Sequence, residues 1–181
     1  AEVAGVCMET IFLPTINAMK AEGRPFKGCL YFGLMITPNG PKVIEYNCRF
    51  GDPETQVVLP LLETDLLKIM QAVENETLSD VEVKWSQNSA ACVILASGGY
   101  PGSYAKGKAM TFPAAYPENV TCYHAGDKLD GGKLVTSGGR VLGVTALGDT
   151  LRAAVDRAYE AAKKIHFDGA HMRSDIGSKD C

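Results

Sequence analysis

Apolar positions recur at helical spacing from the start of the chain. Val3, Val6, Cys7, Thr10, Ile11 and Pro14 follow this pattern, which continues through Thr15–Glu22 to Gly23, a helix stop with Pro25 close behind. Pro14 either kinks this helix or occupies a first turn. No methionine start and no cap precede the pattern, so the chain is read as part of a longer polypeptide. A hairpin follows: strand-forming residues over Cys29–Thr37, turn chemistry at Pro38-Asn39-Gly40, and a return over Pro41–Asn47. Arg49–Glu54 is a polar loop punctuated by glycine and proline. Thr55–Leu62 and Asp65–Val73 then read as two helices, the second capped by Thr64 or Asp65. Asn75–Gln87 is polar and reads as a connection between subdomains.

Beyond it the period shortens to 2. Ser89–Ala96, Thr121–Gly126, Lys133–Ser137 and Arg140–Leu147 read as strands, with a turn at Asp130-Gly131-Gly132. Leu151, Ala154, Val155, Ala158, Ala162 and Ile165 form one helical stripe behind Asp149 as N-cap, while Arg152, Asp156, Arg157, Glu160 and Lys163 face water. The tail from Phe167 reads as an extended segment. The expected fold class is α+β, divided into residues 1–80, of antiparallel strands with helices, and a mixed-sheet domain over 81–181.

Composition narrows the function classes. The 181 residues are 46% hydrophobic and 22% charged, ordinary for a globular protein, with a net charge of −3. That balance disfavours a broad nucleic-acid surface, and no apolar run is long enough to span a membrane. The six cysteines are scattered without CxxC or zinc spacing and read as reduced thiols of a cytoplasmic protein. His124, His166 and His171 lack triad or ligand spacing and are expected to be structural. Ser97–Gly102 reads as a loop ahead of a phosphate site, because no Gly-Lys-Ser/Thr ends it; Ser137–Arg140 reads as a tight turn, Gly-Gly being ordinary hairpin punctuation, with amides and a guanidinium against a phosphate as the alternative.

The candidate chemistry lies at Glu45-Tyr46-Asn47. Residues two apart on a strand share a face, so Glu45 and Asn47 project together and Tyr46 away. A carboxylate beside an amide oxygen suits Mg²⁺, which takes one or two protein oxygens and completes its shell with phosphate and water. The plain alternative is a strand end with two solvated polar residues. The charged loop that follows, Arg49 to Glu54, favours a ligand site.

The run PKVIEYNCRFGDPETQVVLPLLETDL resembles the metal-binding segment of ATP-grasp ligases, and specifically of the glycinamide ribonucleotide synthetase (phosphoribosylamine–glycine ligase) family. KGCLYFGLMIT before it, and ASGGYPGSYAKG, HAGDKLDGGKLVTSGGRVLGVTALGDTL and FDGAHMRSDIG after it, resemble the same family in the same order. The resemblance implies the second half of an ATP-grasp domain followed by a small C-terminal α+β domain. It also implies a ligase of purine biosynthesis that uses ATP with Mg²⁺ or Mn²⁺ to join glycine to 5-phosphoribosylamine through glycyl phosphate. Glu45 and Asn47 match the family's metal ligands.

Arg49 is the candidate for steadying the transferred phosphoryl group, because its planar fork pairs with oxyanions; a salt bridge to Asp52 or Glu54 is the alternative. Asp52 and Glu54 either orient the substrate amine or hold the loop, and Glu54 is alternatively a carboxylate interacting with a helix N-terminus. The wider ATP-grasp pattern places an acid on the preceding strand, yet Leu30–Ile36 carries none. Glu45 then bridges two ions, or phosphate and water supply more of the shell. The family's N-terminal domain and lysine-bearing flap have no counterpart in these residues. The chain is therefore expected to depend on a missing N-terminal portion and to be silent alone. Another ATP-grasp ligase or carboxylase, and a non-catalytic binding module, are the alternative readings.

Overall fold

The opening helical pattern forms a continuous helical run in a computed structural model that describes residues 2–179. Helix α1, Glu2–Cys7, passes through a π-helical turn at Met8–Phe12 into α2, Leu13–Ala21. The wide turn lies just ahead of Pro14, which brings no N–H and crowds the carbonyl one turn back. The Leu13 amide reaches back to the Met8 carbonyl, so the chain stays helical across the proline. Gly23, at φ 73°, ends the run in a Schellman motif: its amide donates to Lys20 O and that of Arg24 to Met19 O.

The chain divides into two compact units. One runs to Gly51 and takes Thr64–Val83; the other takes Asp52–Glu63 and the residues from Lys84 onward. In the first unit, strands β1 (Tyr31–Thr37) and β2 (Gly40–Asn47) pair antiparallel around Pro38-Asn39, where Thr37 Oγ accepts the Asn39 amide. The register steps between Gly33 and Leu34: Gly33 faces Glu45, Leu34 faces Val43, and Ile44 is the bulged residue. Phe32 pairs with Tyr46, their ring centroids 5.2 Å apart, and Phe12 lies 4.5 Å from Phe32. The helical run therefore packs on the Phe32/Tyr46 face of the hairpin through Phe12, while Tyr46 stays half exposed.

The helix expected over Thr55–Leu62 is shorter. It is helical over Thr55–Val58 (α3), then tightens to a 3₁₀ turn, Leu59–Leu61, at Pro60. Helix α4 spans Leu66–Glu74, and of its two candidate caps Asp65 makes the bond, its carboxylate accepting the Leu67 amide at 2.8 Å.

The second unit is built on a three-stranded antiparallel sheet in the order β3 (Ser89–Ala96), β7 (Arg140–Gly148), β4 (Val120–His124). Helix α5, Leu151–Ala162, lays Ala154, Val155, Ala158 and Ala162 against Val93, Val144 and Ala146. Cys92, Gly143 and Thr145 occupy the other face, where Thr145 Oγ donates to Gln56 O of α3. A strand that the pattern did not reveal, β5 (Asp127–Asp130), pairs with β6 (Lys133–Thr136). Their two-residue loop is Gly131-Gly132, both at positive φ as a type I′ turn demands. The tail expected to be extended from Phe167 instead turns at Asp168-Gly169 and over 176–179, with one bridge, Ala96–His171; His166, just before it, bridges Thr111.

The N-cap of α5 is Thr150 instead of Asp149. Thr150 has extended dihedrals and its Oγ accepts the Ala153 amide at 3.2 Å, three residues on, where a cap must reach. Arg157 is half-buried and donates to the Leu147 carbonyl, so it does not simply face water. Substituting Thr150→Ala is expected to lower unfolding free energy in urea by about 1 kcal/mol, and Asp149→Ala by only a few tenths. Equal losses for the two variants would reverse the cap assignment.

Candidate functional site

Glu45 and Asn47 stand on the face of the β1–β2 hairpin opposite the Phe32/Tyr46 face, as strand alternation requires. Glu45 is exposed and Asn47 half-buried, with Asn47 Nδ2 3.3 Å from Glu45 Oε1. The two heads are therefore adjacent. A shared cation would replace this hydrogen bond once the amide turned to offer its oxygen. The donor set, one carboxylate and one amide carbonyl on an open face, fits a magnesium ion that takes its remaining ligands from phosphate and water. Among the described residues no group of three or more His, Cys, Asp or Glu is arranged to hold a metal. A cation on this hairpin would depend on oxygens brought by a nucleotide.

Arg49 is exposed at the end of the hairpin, and its Nη1 donates to the Phe50 carbonyl at 2.7 Å. A peptide carbonyl is thus its partner, leaving the rest of the guanidinium fork for an oxyanion. Asp52 and Glu54 belong to the second unit. Arg140 holds Asp52 twice, Nη2 to Oδ2 at 2.9 Å and Nη1 to its carbonyl at 2.8 Å. Gln56 Nε2 takes the other carboxylate oxygen at 2.8 Å. Glu54 is half-buried at the N-cap position of α3 with no side-chain capping bond, and it lines a cavity of about 280 Å³ with Val57, Ala91, Leu151 and Val155. The clamp by Arg140, 88 residues from Asp52, is the part of this region that sequence reasoning missed. An arginine after Ser-Gly-Gly is its only local trace.

The distal glycine runs serve packing. The amides of Ser137 and Gly138 both donate to Gly126 O, and a Cβ on Gly139 would fall 2.2 Å from the Tyr100 ring. Ser97 Oγ donates to Gly138 O, tying the two loops together. His124 pairs with Asp127, a satisfied structural histidine. Burial pushes the Cys92 and Cys122 thiols up, which keeps them protonated and unreactive. Cys48 is exposed, unlike the usual buried thiol, and Cys181 lies outside the described residues. Among the described residues no helix is long and apolar enough to cross a membrane.

Two domain models of one family match the chain. The ATP-grasp (A) domain of phosphoribosylglycinamide synthetase matches residues 1–55, and the C domain of the same synthetase matches residues 90–179. The chain belongs to the phosphoribosylglycinamide synthetase family. It is 50% identical over 172 residues to a phosphoribosylamine–glycine ligase of Synechocystis, covering 93% of this chain and 41% of that protein. It is also 50% identical over 167 residues to a bifunctional purine biosynthetic protein of Schizosaccharomyces pombe, covering 92% of this chain and 21% of that protein. The chain thus spans about two fifths of the single-function relative it matches.

A crystal structure of the phosphoribosylamine–glycine ligase of Thermotoga maritima superposes with a TM-score of 0.82 at 37% identity, over 93% of this chain and 42% of that one. The biotin carboxylase domain of Hydrogenobacter thermophilus 2-oxoglutarate carboxylase, solved with MgADP and bicarbonate, shares the fold at a TM-score of 0.55 and 15% identity, over 87% of this chain and 35% of that one. The α+β expectation, with antiparallel sheets and an ATP-grasp portion first, agrees with these matches.

A double-mutant cycle on Arg140→Ala and Asp52→Asn should give a coupling of about 0.5–1 kcal/mol in urea unfolding, the range for a partly exposed pair with good geometry. Strict additivity would show that the carboxylate charge adds nothing to the clamp.

Proposed function

We propose that the polypeptide carrying this chain is a cytoplasmic ATP-dependent ligase that joins glycine to 5-phosphoribosylamine. The observation that carries this reading is the Glu45/Asn47 pair on the open hairpin face, immediately before Arg49, in the stretch matched by the family's ATP-grasp domain. The names of the relatives support the substrates. In the first step a glycine carboxylate oxygen attacks the γ-phosphorus of ATP and the bond to ADP breaks, giving glycyl phosphate. The phosphoribosylamine nitrogen then attacks the acyl carbon, loses a proton, and phosphate departs with the bonding pair. The product is glycinamide ribonucleotide.

Bringing a carboxylate to a triphosphate is opposed by their like charges, so catalysis here is positioning and charge neutralisation. Glu45 and Asn47 would hold Mg²⁺ or Mn²⁺, which when bound supplies positive charge to the phosphate oxygens. Arg49 offers its fork to the transferred phosphoryl group or to the acyl phosphate. Asp52, with both carboxylate oxygens engaged, serves to hold the loop, while Glu54 remains the carboxylate available to the substrate amine. Residues 1–80 on this reading are the C-terminal half of the ATP-grasp domain, 81–181 the C-terminal domain, and the missing N-terminal portion of the same enzyme completes the nucleotide site. The carboxylase alternative rests on the shared fold of the biotin carboxylase domain.

The test is ADP release by the full-length polypeptide. Turnover should require both glycine and phosphoribosylamine, bicarbonate should not replace glycine, and the 181-residue chain alone should be silent. Glu45→Gln should cut turnover by at least about a hundredfold with an unchanged melting temperature, as expected when a group acting on transition-state charge is removed. Bicarbonate-dependent ADP release without glycine would move the protein to the carboxylase reading.

A further inference from the structure

Glycine inside a strand weakens it, and its presence often marks a place where something must approach the backbone closely. Gly33 sits within β1, Tyr31–Thr37, and its φ is not in the left-handed region, so the backbone itself does not call for glycine. What occupies the space is specific. A Cβ at Gly33 would lie 2.8 Å from Glu45 Cγ, 3.5 Å from Glu45 Oε1 and 3.6 Å from Glu45 Cδ. The three nearest neighbours of the absent side chain all belong to Glu45. The register places the two residues directly opposite each other, beside the bulge at Ile44.

We propose that Gly33 is a positioning residue whose missing side chain lets Glu45 fold back across β1 and bring its carboxylate beside Asn47. The strand carries no acid of its own between Tyr31 and Thr37. The glycine therefore gives the carboxylate of β2 the space over β1 that a side chain there would fill. Any side chain at 33 obstructs Glu45 at its Cγ, the middle of its reach, so the carboxylate must leave this path and with it the 3.3 Å contact to Asn47. The inference rests on the proposed role of Glu45 and Asn47 as metal ligands, and it adds that the pair is assembled by a vacancy on the facing strand.

The experiment uses the full-length polypeptide with saturating ADP, and reads Mn²⁺ affinity by electron paramagnetic resonance alongside melting temperature. Gly33→Ala should weaken Mn²⁺ binding about tenfold, the lower end of what displacing a supporting group costs a metal site. In a Glu45→Gln background, Gly33→Ala should weaken it no further, because the group it displaces has already lost its charge. Unchanged affinity in folded Gly33→Ala, or an equal further loss in the Glu45→Gln background, would overturn the proposal. Should Gly33→Ala lower the melting temperature, the double variant Gly33→Ala/Glu45→Ala decides. Melting like Glu45→Ala alone shows that the obstruction was Glu45; melting lower by the full increment shows a backbone role instead and sinks the idea. If Glu45→Gln alone leaves Mn²⁺ binding intact, it is the metal reading of this pair that fails, a separate result.

Discussion

The pairing of β1 with β2 is the constraint on which the candidate site of this chain depends. Side-chain direction alternates along a strand, so a slip of one residue would turn Glu45 and Asn47 to the face that carries Phe12 and Phe32, and Tyr46 to the opposite one. The register is held from both ends. Thr37, Pro38 and Asn39 close the turn, with Thr37 Oγ bonded to both the Asn39 amide and the Gly40 carbonyl. At the open end Phe12, Phe32 and Tyr46 form a chain of ring contacts on the face opposite Glu45. The bulge at Ile44 absorbs one residue between these anchors, so turn and aromatic stack can both be satisfied while Glu45 faces Gly33.

In the second unit the equivalent anchoring is ionic. Asp52 opens the first short segment of this unit, and Arg140, the first residue of the central strand β7, grips its carboxylate and its carbonyl together. The grip is possible because Arg140 emerges from a loop packed too closely for side chains, with Gly126 against Gly138 and Gly139 under Tyr100. Those glycines are part of the positioning of Asp52. The Ser137 and Gly138 amides are spent on Gly126 O, which is why the Ser-Gly-Gly run is a structural turn even though its composition suggests a phosphate cradle.

Much of this was legible where local chemistry decides the outcome. Gly23, Pro38-Asn39-Gly40 and Gly131-Gly132 mark chain reversals that each residue type enforces by itself, and the alanine-rich stripe of α5 reads directly as a buried face. Legibility failed where two local options compete or where the partner is distant. Asp149 and Thr150 are both good caps, and only the dihedrals choose Thr150. Asp127–Asp130 carries no apolar alternation because most of its own residues are exposed, so nothing in its pattern marked it as a strand. The proline at 60 ended a helix that periodicity alone would extend. Arg140 and Asp52 share no sequence neighbourhood at all. The candidate pair Glu45 and Asn47 was visible because a strand makes neighbours of residues two apart; the vacancy opposite them needed the register.

A hairpin with two oxygen donors and no cluster of acids has a consequence for the order of events in the proposed reaction. Mg²⁺ holds its water tightly and is poorly retained by one carboxylate and one amide, whereas the same pair facing a polyphosphate completes an oxygen shell with ligands from both sides. Metal and nucleotide would then bind as one unit, and the positive charge would be present only when there is phosphate negative charge to neutralise. Without nucleotide, Glu45 is left to the Asn47 amide, a neutral partner that satisfies one oxygen without fixing a permanent charge. A third acid on the hairpin would strengthen ion binding at rest but would add negative charge beside the carboxylate that must meet the γ-phosphate. On the proposed reading, the glycine opposite Glu45 fits an economical solution: one carboxylate, given its room by the absence of a neighbour, on the face where phosphates would arrive.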